Sequence, residues 1–148
     1  MKPTSLTWII AIFGIITFLP LLAAQIIMIA APKSKIASDL IIGKGHSWRD
    51  QTHFRSALAF AWGDILLVLP TLIVSYIGVL GGHPWVYILW IALGMISIYF
   101  SILFWVLERS YTYAAYGWLA YYTYFWGFFL YWGVGALTYS FIILLRLL

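Results

Sequence analysis

The chain has no cysteine among its 148 residues. This absence excludes disulfides, thiolate nucleophiles, iron–sulfur ligation and CxxC redox chemistry. Histidine is scarce as well, and His46, His53 and His83 fall at or outside the ends of the apolar stretches. No imidazole therefore lies deep enough to be the axial ligand of a haem. We expect the protein to have no cofactor.

Charge is the second scarcity, since only 8% of the residues are charged while 65% are hydrophobic. A soluble domain carries about 25% charged residues, which cover its water-facing surface. The composition therefore predicts an integral, multi-pass membrane protein whose main surroundings are membrane lipids. No nucleic-acid partner is expected.

Hydropathy predicts an all-α fold, an integral membrane bundle of four transmembrane helices in one domain, residues 1–148, because each crossing needs about 20 apolar residues. The predicted spans are 8–31, 56–80, 85–107 and 114–145, with a polar loop at 32–55. Two glycines and a proline in Gly81–Pro84 predict a tight turn between the second and third spans. The fourth stretch exceeds one crossing, which predicts a tilted, kinked or partly interfacial helix.

Asp64 is a carboxylic acid inside the apolar run of the second span. An aspartate at the centre of a spanning helix costs roughly 2.5 to 3.5 kcal/mol, so such residues usually face a partner helix, a cavity or a substrate. We expect Asp64 to be neutral or hydrogen-bonded inside the bundle, with Tyr99, Ser101 and Tyr124 as candidate partners. Two interpretations stay open: a functional acid, or a structural acid bonded to a neighbouring helix.

A helix that began near Gly45 would place His46, Asp50, His53 and Asp64 within one stripe of about 60°. Such a stripe suggests proton relay or metal binding. However, the two histidines would lie two turns, or about 10 Å, apart, which is too far to chelate one ion without another helix. We therefore predict no metal site, and favour an amphipathic segment that contacts lipid headgroups.

Aromatic residues make up 20% of the chain and crowd the fourth span. Trp126 and Tyr131 lie deep in this span, where an indole N–H or a tyrosine hydroxyl needs a hydrogen-bonding partner. They predict a ring-lined cavity for a flat apolar ligand. Tight aromatic packing between helices explains the same pattern equally well.

Small residues predict where helices approach closely. The second span has two pairs at a spacing of four, Ala57 with Ala61 and Ala59 with Gly63. In the fourth span, glycines predict either a bend or room for a ring, and they stand at positions 127, 133 and 135.

Several short features resemble the emopamil-binding superfamily, whose shared unit is the EXPERA domain and which includes sterol isomerases and the sigma-two receptor. The resemblance covers about residues 55–145. It rests on Asp64 followed six positions later by Pro70, on His83-Pro84, on Ile98-Tyr99 leading through Leu103 to Glu108, and on Tyr124-Phe125-Trp126.

The resemblance implies a four-helix bundle with a cavity that opens within the membrane and accepts sterol-like or cationic amphiphilic molecules. It implies that Asp64 lies in that cavity and that Glu108 matches a second acid, so these two are the candidate catalytic residues. The family's isomerases carry a histidine and a glutamate on an earlier helix, where this chain offers nothing stronger than Gln25. A family aspartate in the third helix is replaced by Ser101.

Two functions are therefore expected as alternatives. The first is a protein that binds a lipophilic sterol- or isoprenoid-like molecule around Asp64, with or without acid–base chemistry; its candidate binding residues are Asp64, Tyr99, Ser101, Tyr124, Trp126 and Tyr131. The second is a non-catalytic accessory subunit, in a homo-oligomer or a larger membrane complex. A transporter is disfavoured, because the spans contain one intramembrane charge and no repeat.

Basic residues predict the orientation in the membrane. With four crossings, both termini share a side with the 81–84 turn, and that side holds Lys2 and Arg146. The opposite side holds six basic residues, namely Lys33, Lys35, Lys44, Arg49, Arg55 and Arg109. This six-to-two bias places the 32–55 loop in the cytoplasm and both termini outside.

A topology reporter fused after Leu148 tests this orientation. We expect the reporter to be on the non-cytoplasmic side, because cytoplasmic loops carry the excess of Lys and Arg. The same reporter inserted in the 32–55 loop is the control and should be cytoplasmic. A cytoplasmic C-terminus would favour the arrangement of the EXPERA family, whose termini are cytosolic.

Overall fold

The computed structural model describes residues 2–108, 119, 123 and 126–147, and these residues contain helices and no strand. Four of the described helices are long and apolar enough to cross a membrane, so the protein is an all-α membrane bundle. The helices are α1 (Ser5–Ala30), α2 (Lys35–Ile41), α3 (Gln51–Leu80), α4 (Val86–Leu103, followed by a π-helical turn at Phe104–Glu108) and α5 (Trp126–Leu147).

Polar side chains begin the first three helices, because the first N–H groups of a helix have no partner within it. In α1, the hydroxyl of Thr4 accepts from the Thr7 N–H at 3.2 Å. In α2, Ser34 accepts from the Ala37 N–H at 3.1 Å. In α3, Asp50 accepts from the His53 N–H at 2.8 Å, and this bond holds the pKa of the Asp50 carboxyl below its usual value.

These caps shift the helix boundaries relative to the sequence prediction. The predicted loop at 32–55 contains the short helix α2, and its last five residues already belong to α3, because Asp50 starts that helix before the apolar run. The start predicted for the fourth span, residue 114, lies outside the described residues. Within the described part of the chain, the last spanning helix, α5, extends over Trp126–Leu147.

Helix α3 has a π-helical turn at Asp64–Val68, which ends two residues before Pro70. The N–H of Leu69 donates to the Asp64 carbonyl, five residues earlier instead of four. Proline has no N–H and its ring collides with the carbonyl four residues before it, so a wider turn accommodates Pro70 without breaking the helix. Asp64 thus stands at the one irregular turn within this helix.

The α3–α4 connection is the tight turn that the sequence predicted. The Gly82 N–H donates to the Val79 carbonyl at 3.0 Å, and the His83 N–H donates to the Gly78 carbonyl at 2.9 Å. Gly82 has φ of 66°, a left-handed conformation that glycine adopts without steric cost.

Helices α4 and α5 form the closest pair. A Cβ atom placed on Gly133 would lie 2.9 Å from the Gly94 carbonyl oxygen, and one placed on Gly94 would lie 2.9 Å from the Gly133 carbonyl oxygen. The hydroxyl of Ser97 donates to the Phe129 carbonyl at 2.7 Å across the same interface. Gly133 therefore serves a helix contact, and neither a bend nor a cavity is needed to explain it.

Helix α1 is joined to the rest of the bundle by hydrogen bonds to its backbone carbonyls. The buried indole N–H of Trp132 donates to the Ile10 carbonyl at 2.9 Å, and the hydroxyl of Tyr76 donates to the Ala11 carbonyl. Gly14 leaves room for both rings, since a Cβ there would meet Trp132 Nε1 at 2.6 Å and the Tyr76 hydroxyl at 2.8 Å.

A second, smaller core lies where α1, α2 and α3 meet. Met28, Ala37 and Ala61 are fully buried there, and Ala57 is 8% exposed. The Ala57/Ala61 pair is thus a close helix contact, as its spacing predicted. The other pair is different, because Ala59 is exposed and a Cβ on Gly63 would have no neighbour within 4 Å.

Replacing Gly133 by alanine should lower the free energy of unfolding by about 1 to 3 kcal/mol, since the added methyl would force two backbones apart. Gly135→Ala is the matched control on the same helix, because a Cβ there meets nothing within 4 Å. Thermal unfolding of both variants in mild detergent measures the difference. Equal stabilities for the two would show that α4 and α5 are not in backbone contact.

Candidate functional site

Asp64 lies on α3 and is buried against α1, with 2% of its surface exposed. Its Oδ2 accepts a hydrogen bond of 2.9 Å from Nε2 of Gln25, a residue of α1 that is itself 5% exposed. The prediction that Asp64 is hydrogen-bonded inside the bundle is therefore confirmed. Its partner differs from the three candidates, because α1 brings Gln25 to it.

One polar atom of the Gln25–Asp64 pair has no hydrogen bond among the described residues. Within the described part of the chain, the carbonyl oxygen Oε1 of Gln25 is buried and has no hydrogen-bonding partner. A buried acceptor without a donor costs roughly 1 to 3 kcal/mol, so such atoms are uncommon in folded proteins. A molecule with a hydroxyl or amine hydrogen would satisfy this atom.

Apolar side chains surround the pair along both helices. Leu22, one turn before Gln25, is 4% exposed, and Val68, one turn after Asp64, is 2% exposed. Both belong to the main hydrophobic core together with Phe18 and Leu72. The arrangement places one acid and one amide among packed apolar side chains, a composition that suits contact with a mostly apolar ligand.

Ser101 and Trp126 lie at the α4–α5 interface. The Ser101 hydroxyl donates to the Ser97 carbonyl at 3.1 Å and approaches the Trp126 carbonyl at 3.5 Å. The Trp126 ring contacts that of Trp105, with centroids 5.6 Å apart. The structure thus brings these two predicted residues together. Their hydrogen bonds and ring contacts are those of two helices that pack against each other.

Tyr99 and Tyr131 face the outside of the bundle, where they are 56% and 53% exposed. The remaining two candidates, the side chain of Glu108 and the whole of Tyr124, lie outside the described residues. Their predicted roles therefore stay predictions.

The stripe of His46, Asp50, His53 and Asp64 does not form. Helix α3 begins at Gln51, so His46 and Asp50 precede it and the assumed helical spacing does not apply. The His53 imidazole accepts from the Arg49 N–H at 3.4 Å through Nδ1. No group of three potential metal ligands occurs among the described residues.

Gln25 is the site residue that sequence reasoning underrated. A signal was present, because Gln25 is the only amide among the side chains of α1. An amide is costly in lipid unless another helix satisfies it, so it predicts a contact with the nearest polar residue of a neighbouring span. The sequence did not indicate which helix would lie beside α1.

Comparisons of the chain with models of protein families, with curated proteins and with solved structures find no match. The site therefore has to be interpreted from its own geometry.

A double-mutant cycle on Gln25→Met and Asp64→Leu tests whether the two residues interact. We expect a coupling free energy of about 0.6 kcal/mol, the average for hydrogen bonds between transmembrane helices, and no more than the maximum of about 1.7 kcal/mol. Unfolding by SDS titration in bicelles provides the four stabilities.

Thr17→Val combined with Asp64→Leu is the control cycle. Thr17 is buried, donates within its own helix to the Phe13 carbonyl at 2.9 Å, and lies about 12 Å along α1 from Gln25. Its effect should be additive with that of Asp64→Leu. A coupling in the Gln25 cycle no larger than in this control would contradict the hydrogen bond.

Proposed function

We propose that the protein binds a lipophilic sterol- or isoprenoid-like molecule within the membrane, and that Asp64 and Gln25 recognise the polar group of this ligand. The observation that carries the proposal is the buried Gln25–Asp64 pair, in which Gln25 Oε1 has no donor among the described residues. A single hydroxyl at the end of an apolar molecule supplies that donor.

The position of the pair supports a ligand that arrives through lipid. Gln25 and Asp64 are both inside apolar spanning helices, and their neighbours along the helices are apolar core residues. Only a mostly hydrophobic molecule matches these surroundings. The π-helical turn at Asp64 adds support, because such turns occur frequently at functional sites.

The resemblance to the EXPERA family supports the same assignment, since it matches Asp64 to an acid of the ligand cavity. We extend the proposal to acid–base chemistry with Asp64 and Glu108 as the candidate catalytic groups. Moving a double bond requires one group that donates a proton and another that removes one. Asp64 is the one acid in the described bundle core, so Glu108 has to supply the second function.

The outward-facing tyrosines favour a second candidate function, that of an accessory subunit. Tyr99 on α4 and Tyr131 on α5 are more than half exposed on the outside of adjacent helices. A tyrosine hydroxyl within a membrane span gains by bonding to a partner chain. In this alternative, the face of α5 that carries Tyr131 packs on another protein.

Binding of dehydroergosterol, a fluorescent sterol with one hydroxyl, tests the ligand proposal. Energy transfer from the tryptophans of the protein in liposomes would measure its affinity. We expect saturable binding that is about ten-fold weaker in Gln25→Met, because the buried acceptor Oε1 for the ligand's hydroxyl is removed. Displacement of the sterol by farnesol extends the test to isoprenoids. The methyl ether of farnesol is the matched control, because it lacks the hydroxyl hydrogen that would bond to Gln25 Oε1.

Tyr131→Phe is the control variant and should bind as the unmodified protein does. Equal displacement by farnesol and its methyl ether, or equal sterol affinity in Gln25→Met, would contradict recognition by the polar pair. Absence of saturable binding, together with co-purification of a stoichiometric protein that Tyr131→Phe or Tyr99→Phe releases, would favour the accessory subunit.

A further inference from the structure

The segment that joins α1 to α3, together with the first five residues of α3, carries most of the positive charge of the chain. Its basic residues are all exposed and comprise Lys33, Lys35, Lys44, Arg49 and Arg55. The segment has two acids, Asp39 and Asp50. Asp50 lies 3.9 Å from Arg49, with both side chains more than half exposed. This segment, residues 32–55, therefore has a net charge of +3 by this count of five basic and two acidic residues.

Helix α2 is held against the bundle by one face only. Ala37, and Ile42 directly after the helix, are fully buried, and Ala37 packs in the small core with Met28 and Ala61. On another face, Ile36 and Leu40 are 63% and 49% exposed. They are four residues apart and so lie side by side on the helix surface.

The segment lies at one end of the bundle, since it follows the end of α1 at Ala30 and leads into α3 at Gln51. Half-buried Trp48 lies in the same stretch and contacts the Phe54 ring, with centroids 5.3 Å apart. Indole rings are enriched at the level of the lipid headgroups. A short helix with exposed apolar side chains, flanked by lysines, is the pattern of an element that lies in the membrane interface.

We propose that residues 32–55 bind anionic phospholipid headgroups of the surrounding bilayer. Ile36 and Leu40 enter the acyl boundary, and Lys33, Lys35, Lys44 and Arg55 reach the phosphates with their long side chains. Charge complementarity selects this occupant, because a zwitterionic surface offers no net attraction to a segment of charge +3. The proposal does not depend on the ligand proposed for Asp64.

Native mass spectrometry of the full chain in mild detergent tests this proposal. Equal amounts of phosphatidylglycerol and phosphatidylcholine with identical acyl chains are added, and the adducts of each lipid are counted. We expect phosphatidylglycerol adducts to exceed phosphatidylcholine adducts by at least about five-fold, roughly the contribution of one basic residue near an anionic surface. The excess should fall as the ammonium acetate concentration is raised, because salt screens exposed charges.

The decisive comparison uses two variants that remove the same charge. Lys33→Gln with Lys35→Gln should reduce the excess at least about five-fold, whereas Lys2→Gln with Arg146→Gln, at the other end of the bundle, should leave it unchanged. All four side chains are exposed, so both variants should fold, which circular dichroism checks. An equal loss in both variants, no loss in the first, or no initial excess would each overturn the proposal.

Discussion

The hydrocarbon core of a bilayer cannot hydrogen-bond to protein, and this constraint governs how the helices of the bundle meet. Polar side chains buried in a span are therefore stabilised by hydrogen bonds to other groups of the protein. Trp132 of α5 and Tyr76 of α3 both donate to carbonyls of α1, and Ser97 of α4 donates to a carbonyl of α5. These bonds accompany close approaches at Gly14 and at the Gly94–Gly133 contact. Hydrogen bonding and small residues together therefore hold the helices in contact, where the hydrophobic effect between helices is weak.

The Gln25–Asp64 pair follows the same rule incompletely. The hydrogen bond between them satisfies one polar atom of each residue, which explains why two strongly polar side chains are tolerated where α1 meets α3. Gln25 Oε1 nevertheless lacks a partner within the described part of the chain, as do Trp90 Nε1 and Ser140 Oγ. The pair differs from these other two because it includes an acid at a π-helical turn. An acid, an unsatisfied acceptor and a locally wider helix in one place support the proposal of a ligand site better than any one of them does.

The two ends of the bundle have different chemistry. At the end with the N-terminus, neutral hydroxyls close the structure, because the Tyr139 hydroxyl lies 2.7 Å from those of both Thr4 and Thr7. At the other end, an exposed basic segment surrounds the short helix α2. This asymmetry is the structural counterpart of the charge bias that predicts orientation, since a basic end suits an anionic membrane surface. A ligand site and a lipid-binding end are compatible, as they use different residues.

The sequence by itself determined the class of the protein, the number of spans and the burial of Asp64. Each of these depends on transfer free energy, which is a property of the side chains in a local stretch of chain. The 81–84 turn was also predictable, because Gly82 and Pro84 restrict their own backbone. Only the tertiary structure decided that Gln25 is the partner of Asp64, that Ser101 bonds to helix carbonyls, and that Tyr99 and Tyr131 face outward. Those outcomes depend on which helices are neighbours and on how each is rotated, and apolar helices of similar composition leave both open until they pack.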